Sequence, residues 1–359
     1  MATSLSDAVD QKRNNLNAVR LFLAATVLAY HCSPLTRGAD HHQGILPYFG
    51  DTAVDLFFLI SGLLITASWQ RSKSAADFLR KRVLRIFPGF IGAYAFAVAA
   101  MTWANSAVLN KLISFHGLGG ILTDCVTLTN YMLRGSGVFP LNPYFGSADG
   151  SLWTIPYEFG CYLLVAIAGI LCLFKYRWLA IAGLIAAYAL FCNSVLQGAE
   201  VTTPGRRFLT YFLVGMSCWL WREKIPLRGA IVFLALAIMF AAAFSRPVWL
   251  LFEPICLSYV CLWIGFTKPW KATRWCDHTD LSYGVYLYAF TVQQIIATTA
   301  WGRNPFVMLA IATPATALMA YLSWTLIEKR CLALKPVRHS NLRRGEIAAT
   351  TFTTVGRKI

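Results

Sequence analysis

From one end to the other, the 359-residue chain is divided into apolar stretches of around 20 residues by short polar connections. Each stretch is long enough to cross a hydrocarbon core of ~30 Å, and a water-soluble fold could not bury so many of them. The composition agrees, with 57% hydrophobic and 13% charged residues against about 45–50% and about 25% in soluble domains. An ordinary soluble enzyme is therefore excluded. Backbone polar groups in lipid must be bonded within their own segment, so the fold class is all-α: a polytopic integral membrane protein with about ten transmembrane helices. The predicted spans are 16–36, 49–70, 86–104, 153–174, 178–195, 208–221, 229–245, 247–267, 281–301 and 306–327. Segment 118–133 is apolar but carries Asp124, Asn130 and three threonines, and is expected to be re-entrant or interfacial.

The charge is lopsided, 32 Lys and Arg against 16 Asp and Glu. In a soluble protein this surplus would suggest a polyanionic partner. In a membrane protein it reads first as topology, because Lys and Arg concentrate in cytoplasmic loops. With the N-terminus in the cytoplasm, the ten spans put 25 basic residues inside and 7 outside. Both termini are thus expected in the cytoplasm, the bilayer is the partner of the apolar surface, and no nucleic acid is expected. The first segment lacks a cleavage site of signal-peptide type and is expected to be retained. The ten cysteines are scattered without a CxxC pair; most fall in apolar runs as small hydrophobes, and no metal site is expected.

Charged groups at membrane depth cost at least ~2.5–3.5 kcal/mol on insertion scales, so each one is a functional candidate. Arg20 and His31 stand eleven steps apart in span 1, about 1100° around a helix, which puts both on one face with ~16 Å between them. A cation near the cytoplasmic end and an imidazole deeper in suit anion binding followed by proton chemistry. Asp55, in the almost wholly apolar DTAVDLFFLISGLLI, needs a cation or strong donor, with His31 or an arginine as its expected partner. Glu158 lies where the connection enters span 4 and is expected to face the outer half of the membrane, with Trp153 and Tyr157 as flanking aromatics. Glu253, Asp124 and Glu328 complete the set. The stretch ADFLRKRVLRIFP, taken as a cytoplasmic loop, presents Arg80, Lys81, Arg82 and Arg85; arginine forks there suit phosphate, although anchoring alone would also account for them. In span 9, Tyr283, Tyr286, Tyr288, Gln293 and Gln294 need partners, either neighbouring helices or substrate. The non-cytoplasmic connection 105–152 is a place where an external substrate could be held.

Taken in order, these segments resemble the membrane acyltransferase-3 family, which includes O-acetyltransferases of bacterial surface polysaccharides. Arg20 with His31 resembles its first-helix signature, DTAVDLFFLISGLLI its second-helix motif, FLRKRVLRIFP its basic loop and SLWTIPYEFGCYLL its Trp/Glu motif; LSYGVYLYAFTVQQ and YLSWTLIEKR resemble its last two helices. The resemblance implies a transmembrane domain over 1–335 followed by a basic cytoplasmic tail over 336–359, expected to be disordered, in the bacterial inner membrane. It implies transfer of an acyl group, usually acetyl, from cytoplasmic acyl-CoA to a hydroxyl of a cell-surface glycan or glycolipid, with no permanently bound cofactor. His31 would be base or acyl relay with Arg20, Asp55 and Glu158 beside it. Arg80, Arg82 and Arg85 would meet the CoA phosphates, and Trp153, Tyr157, Tyr283, Tyr286 and Gln293 would contact substrate. Ala289 stands where many members carry a histidine, which places more of the chemistry on His31. The alternative is a transporter of a small acylated or anionic metabolite along the same charged residues.

Overall fold

The computed structural model describes residues 4–9, 13–38, 46–199, 203–267, 270, 275–276 and 279–334. The tail at 336–359 lies outside the described residues. The described residues form helices and turns with no strand. The main helices are α1 (Leu16–Arg37), α2 (Leu46–Gln70), α3 (Ala75–Ala104), α4 (Phe115–Thr127), α5 (Ile155–Ile170), α6 (Trp178–Leu196), α7 (Pro204–Leu220), α8 (Gly229–Ala242), α9 (Arg246–Phe266), α10 (Ser282–Ala297) and α11 (Pro305–Ser323). The last continues through a π turn to Ala333.

Among the described residues, seven helical stretches are long and apolar enough to cross a membrane: those containing α1, α2, α3, α5, α6, α9 and α11. Helices α7, α8 and α10 also fall where spans were expected but have only 17, 14 and 16 residues. Large apolar side chains cover the outside of the bundle, among them Phe22, Ile167, Leu196, Phe240 and Phe306, each more than half exposed. Such a surface suits lipid rather than water. The molecule is accordingly a polytopic membrane protein.

Helix α10 is the hub. Its residues from Ser282 to Gln294 are all buried, and it packs against α1, α3 and α11. Its start lies beside Arg20 and its later turns beside Leu28 and Cys32, so α1 and α10 run in parallel. The end of the bundle where α1 begins is called proximal below, and the opposite end distal. Helices α2 and α7 touch backbone to backbone. A Cβ on Gly62 would fall 2.0 Å from the Phe212 carbonyl oxygen, and one on Gly215 2.0 Å from that of Leu59, the close approach that small residues permit between membrane helices.

Two expectations need correction. The basic stretch expected as a loop is the start of α3, which begins at Ala75 rather than near 86. Its beginning is set by the Ser74 cap, whose hydroxyl accepts from the Asp77 amide at 3.1 Å, and by the Asp77–Lys81 pair one turn apart, both of which stabilise a helix in water. The second correction concerns the connection before α5, which folds into the bundle. Leu133, Val138, Phe139, Ala148, Asp149 and Leu152 are buried there, and irregular backbone at this depth is tolerated because it is packed in protein.

Segment 118–133 falls partly in α4, whose 13 residues are too few to cross a bilayer. Leu118, Leu122 and Val126, at four-residue spacing, are exposed, while Asp124 on the buried side accepts from Tyr94, Thr129 and the Met132 amide. Its apolar stripe thus faces outward, as on a helix lying in an interface.

Candidate active site

Side chains of α10 hold the inserted connection in place. Tyr286 donates to the Ser151 carbonyl and shares a 2.7 Å hydrogen bond with Thr154. Thr291 reaches Ala148 and Asp149, and Gln294 donates to the carbonyls of Tyr144 and Ser147. The α10 amides and phenols therefore satisfy backbone that would otherwise be stranded in the bundle. Burial pushes the Asp149 carboxyl up to about 7, against the pull of hydrogen bonds from the Ser151 amide and Thr291.

Because the connection descends this far, α5 begins deep in the bundle, and the motif Trp153–Glu158 separates two cavities. Thr154, Ile155 and Glu158 line a narrow proximal cavity of about 40 Å³ together with Arg20, Ser61, Tyr283 and Tyr286. Trp153, Pro156 and Tyr157 line a wide distal cavity of about 590 Å³, with Tyr131, Arg134 and Tyr144 of the connection. The three- and four-residue spacings within each set place them on two faces of one helical turn. At ~10–15 Å³ per water, the proximal cavity has the dimensions of a few waters or a short acyl group.

Glu158 consequently shares a cavity with Arg20, where the sequence had placed it facing the opposite half of the membrane. Its Oε1 accepts from Ser61 at 3.1 Å and from Tyr162 at 2.5 Å. Arg20 pairs at 2.8 Å with Asp280, just before α10, and the same carboxylate oxygen takes Arg85 at 2.5 Å. Arg85 also reaches Glu328 at 3.6 Å. Burial alone would raise the pKa of Asp280, but the Arg20 and Arg85 guanidiniums more than reverse this and hold the carboxyl well below its usual range. Asp280 is the principal residue missed from sequence. Its one signal was an acid immediately before a helix, followed by Ser282, which donates to its other oxygen at 2.6 Å.

Of the other expected phosphate contacts, Arg82 lies between the Phe78 and Tyr162 rings. Arg80 is exposed and donates to the Leu334 carbonyl. His31 follows Arg20 on the unbroken α1, its ring set edge-on to Phe290 at 5.1 Å. Phe290 in turn meets Tyr144 of the distal cavity and packs where a side chain on Gly150 would stand. His31 is thus one ring removed from the wall of the distal cavity. Gln293, expected to touch substrate, is fully buried and donates to Leu28 and Cys32; it holds α10 to α1. Tyr283 lines the proximal cavity but donates its hydroxyl to the Ile86 carbonyl.

Asp55 lies off the cavity. Of the two partners expected for it, the structure supplies the arginine: Arg207 of α7, at 3.0 Å. Arg207, counted from sequence as an external loop residue, is 6% exposed inside the bundle.

The acyltransferase-3 family model, described as an acyltransferase domain, matches residues 13–327. The chain belongs to this family and is an acyltransferase. Its relatives include a protein named O-acetyl transferase from Shigella phage Sf6, 26% identical over 89% of this chain and 96% of that protein. Another is Nodulation protein 10 of Rhizobium leguminosarum bv. viciae, 28% identical over 90% of this chain and 94% of its own length. No solved structure matches.

Proposed function

We propose that this chain is an inner-membrane O-acyltransferase that takes an acyl group, acetyl in the usual case, from acyl-CoA at its proximal, cytoplasmic end and passes it to a hydroxyl of a cell-surface glycan or glycolipid held at the distal end. The observation that carries this reading is the pair of cavities on either side of Trp153–Glu158, a small, largely apolar one edged by Arg20, Ser61 and Glu158 and a wide one ringed by aromatic and polar groups beneath the inserted connection, with His31 reaching the latter through Phe290. The donor phosphates fall to Arg80 and Arg82, because Arg85 is neutralised by Asp280 and Glu328. The thioester then enters the proximal cavity beside Arg20, Ser61 and Glu158. His31 removes the acceptor's hydroxyl proton or takes the acyl group first; in either route the thioester C–S bond breaks, an ester C–O bond forms, and the hydroxyl proton ends on the CoA thiolate. Trp153, Tyr157 and Tyr131 offer ring faces to the sugar in a cavity that Arg134 makes attractive to acidic acceptors.

Purified protein in proteoliposomes, given labelled acetyl-CoA and polysaccharide on opposite sides, is expected to form an alkali-labile ester on the glycan. Label that crosses the membrane unchanged, with no ester formed, would mean a transporter and would overturn the proposal.

A further inference from the structure

The Asp55 region is a second polar centre. Arg207 lies 3.0 Å from Asp55 and 3.6 Å from Asp51, and Arg246 pairs with Asp51 at 2.8 Å. Tyr211 donates to Glu253 Oε1 at 2.6 Å. Asp55 and Glu253 are 0% and 1% exposed, and their side chains are neighbours. Neither oxygen of Asp55 accepts a well-formed hydrogen bond from a neighbouring side chain, and the Thr52 hydroxyl stands beside Glu253.

Two ionised carboxylates can only accept and would repel each other. Across the packed elements, the charged groups are Asp51 and Asp55 of α2, Arg207 of α7, and Arg246 and Glu253 of α9, with the hydroxyls of Thr52, Tyr211 and, from α1, Tyr30 around them. Among the described residues, three acids against two arginines leave one surplus negative charge in a medium where unpaired charge is costly. One proton added to the pair removes that charge and turns the contact between two acceptors into an O–H···O hydrogen bond.

We propose that Asp55 and Glu253 form a proton-binding site inside the bundle, one proton shared between Glu253 Oε2 and Asp55, in contact with the distal face through Asp51. Asp51 and Arg246 are each about 30% exposed at that end, so a proton leaving the pair reaches water there and leaves the pair one charge more negative. The proposal does not depend on the acyl-transfer reading, and its test uses no acyl donor.

The test is infrared spectroscopy of the full-length protein in lipid nanodiscs at neutral pH, in an Asp149→Asn background so that Asp149 contributes no signal. A protonated-carboxyl C=O band that shifts in D2O is expected, lost completely in both Asp55→Asn and Glu253→Gln. Absence of the band in the Asp149→Asn protein, or its persistence in both further variants, overturns the proposal. Asp55→Asn mimics the neutral acid, so it is expected to fold; collapse of both variants would count against a shared proton. Asp51→Asn is expected to slow deuterium exchange of the band several-fold, and unchanged exchange would remove the connection to the distal face.

Discussion

Helix α2 carries two faces that treat charge differently. Val54, Phe57, Phe58 and Ser61, at helical spacing, look into the proximal cavity, across which Arg20 and Glu158 stand. Asp51, Thr52 and Asp55 point elsewhere, into contact with α7 and α9. On the cavity side the ion pair remains partly accessible, Arg20 and Asp280 at 19% and 16%, so it borders a space that a small molecule can enter. On the other side Asp55 and Arg207 are sealed, at 0% and 7%, and no substrate reaches them. The contrast teaches that a charge in an apolar helix marks something costly, while access decides whether it serves a ligand or the packing.

Substitutions can break this contrast. The largest effect is expected at His31: His31→Ala should lower acyl transfer by roughly 10²–10⁴-fold, the usual contribution of a general base, with the thermal unfolding profile unchanged. A wild-type rate in the ester assay would remove His31 from the chemistry. On the sealed side, Arg207→Leu leaves Asp55 without its cation and should cost about 3–5 kcal/mol of stability, seen as loss of folded protein in detergent before any kinetic effect can be measured.

Asp149 lies between these in kind, being buried in the inserted connection and tied to α10. Its folded pKa of about 7 lies above the ordinary 3.8, so between those values the folded state holds a proton that the unfolded chain has released. Stability should therefore fall as pH rises from about 4 to about 7 and level off above. Asp149→Asn should flatten that slope in melting temperatures measured across pH; an unchanged slope would assign it to another group.

Asp280→Asn is expected to cost less than Arg207→Leu, about 1.5–3 kcal/mol for lost charged hydrogen bonds, because water can partly replace the carboxylate. Equal destabilisation by the two variants would erase the distinction between the faces. The smallest effect belongs to the distal cavity. Trp153→Leu should raise the acceptor KM by roughly two- to tenfold, in line with about 0.5–1.5 kcal/mol for an aromatic contact, and leave the donor KM unaltered.

Much of the fold was legible because apolar length and period are local properties. Helices α1, α2, α6, α8, α9 and α11 begin and end within a few residues of the expected spans. The start of α3 was missed because density of charge resembles a loop, although the Ser74 and Asp77 cap was present to be read. The depth of Glu158 was illegible: in a Gly-, Ser-, Asn- and Pro-rich connection of nearly 50 residues the apolar stretch is 118–133, and nothing marks the part next to Glu158 for insertion, which the Tyr286, Thr291 and Gln294 side chains of α10 make tolerable. Gln293 and Gln294 look alike in sequence, yet one binds α1 and the other the connection, because neighbours on a helix point about 100° apart.

The sequence by itself determined that this is a helical membrane protein, which residues are stranded in its apolar spans, and that Arg20 and His31 share a face, since each follows from local composition and the 3.6-residue turn. Only the tertiary structure decided which stranded charges meet. Asp280 claims Arg20 and Arg85, and Arg207 claims Asp55, across 260, 195 and 152 residues of chain. Partners so remote are chosen by how the helices pack, and no local pattern carries that information.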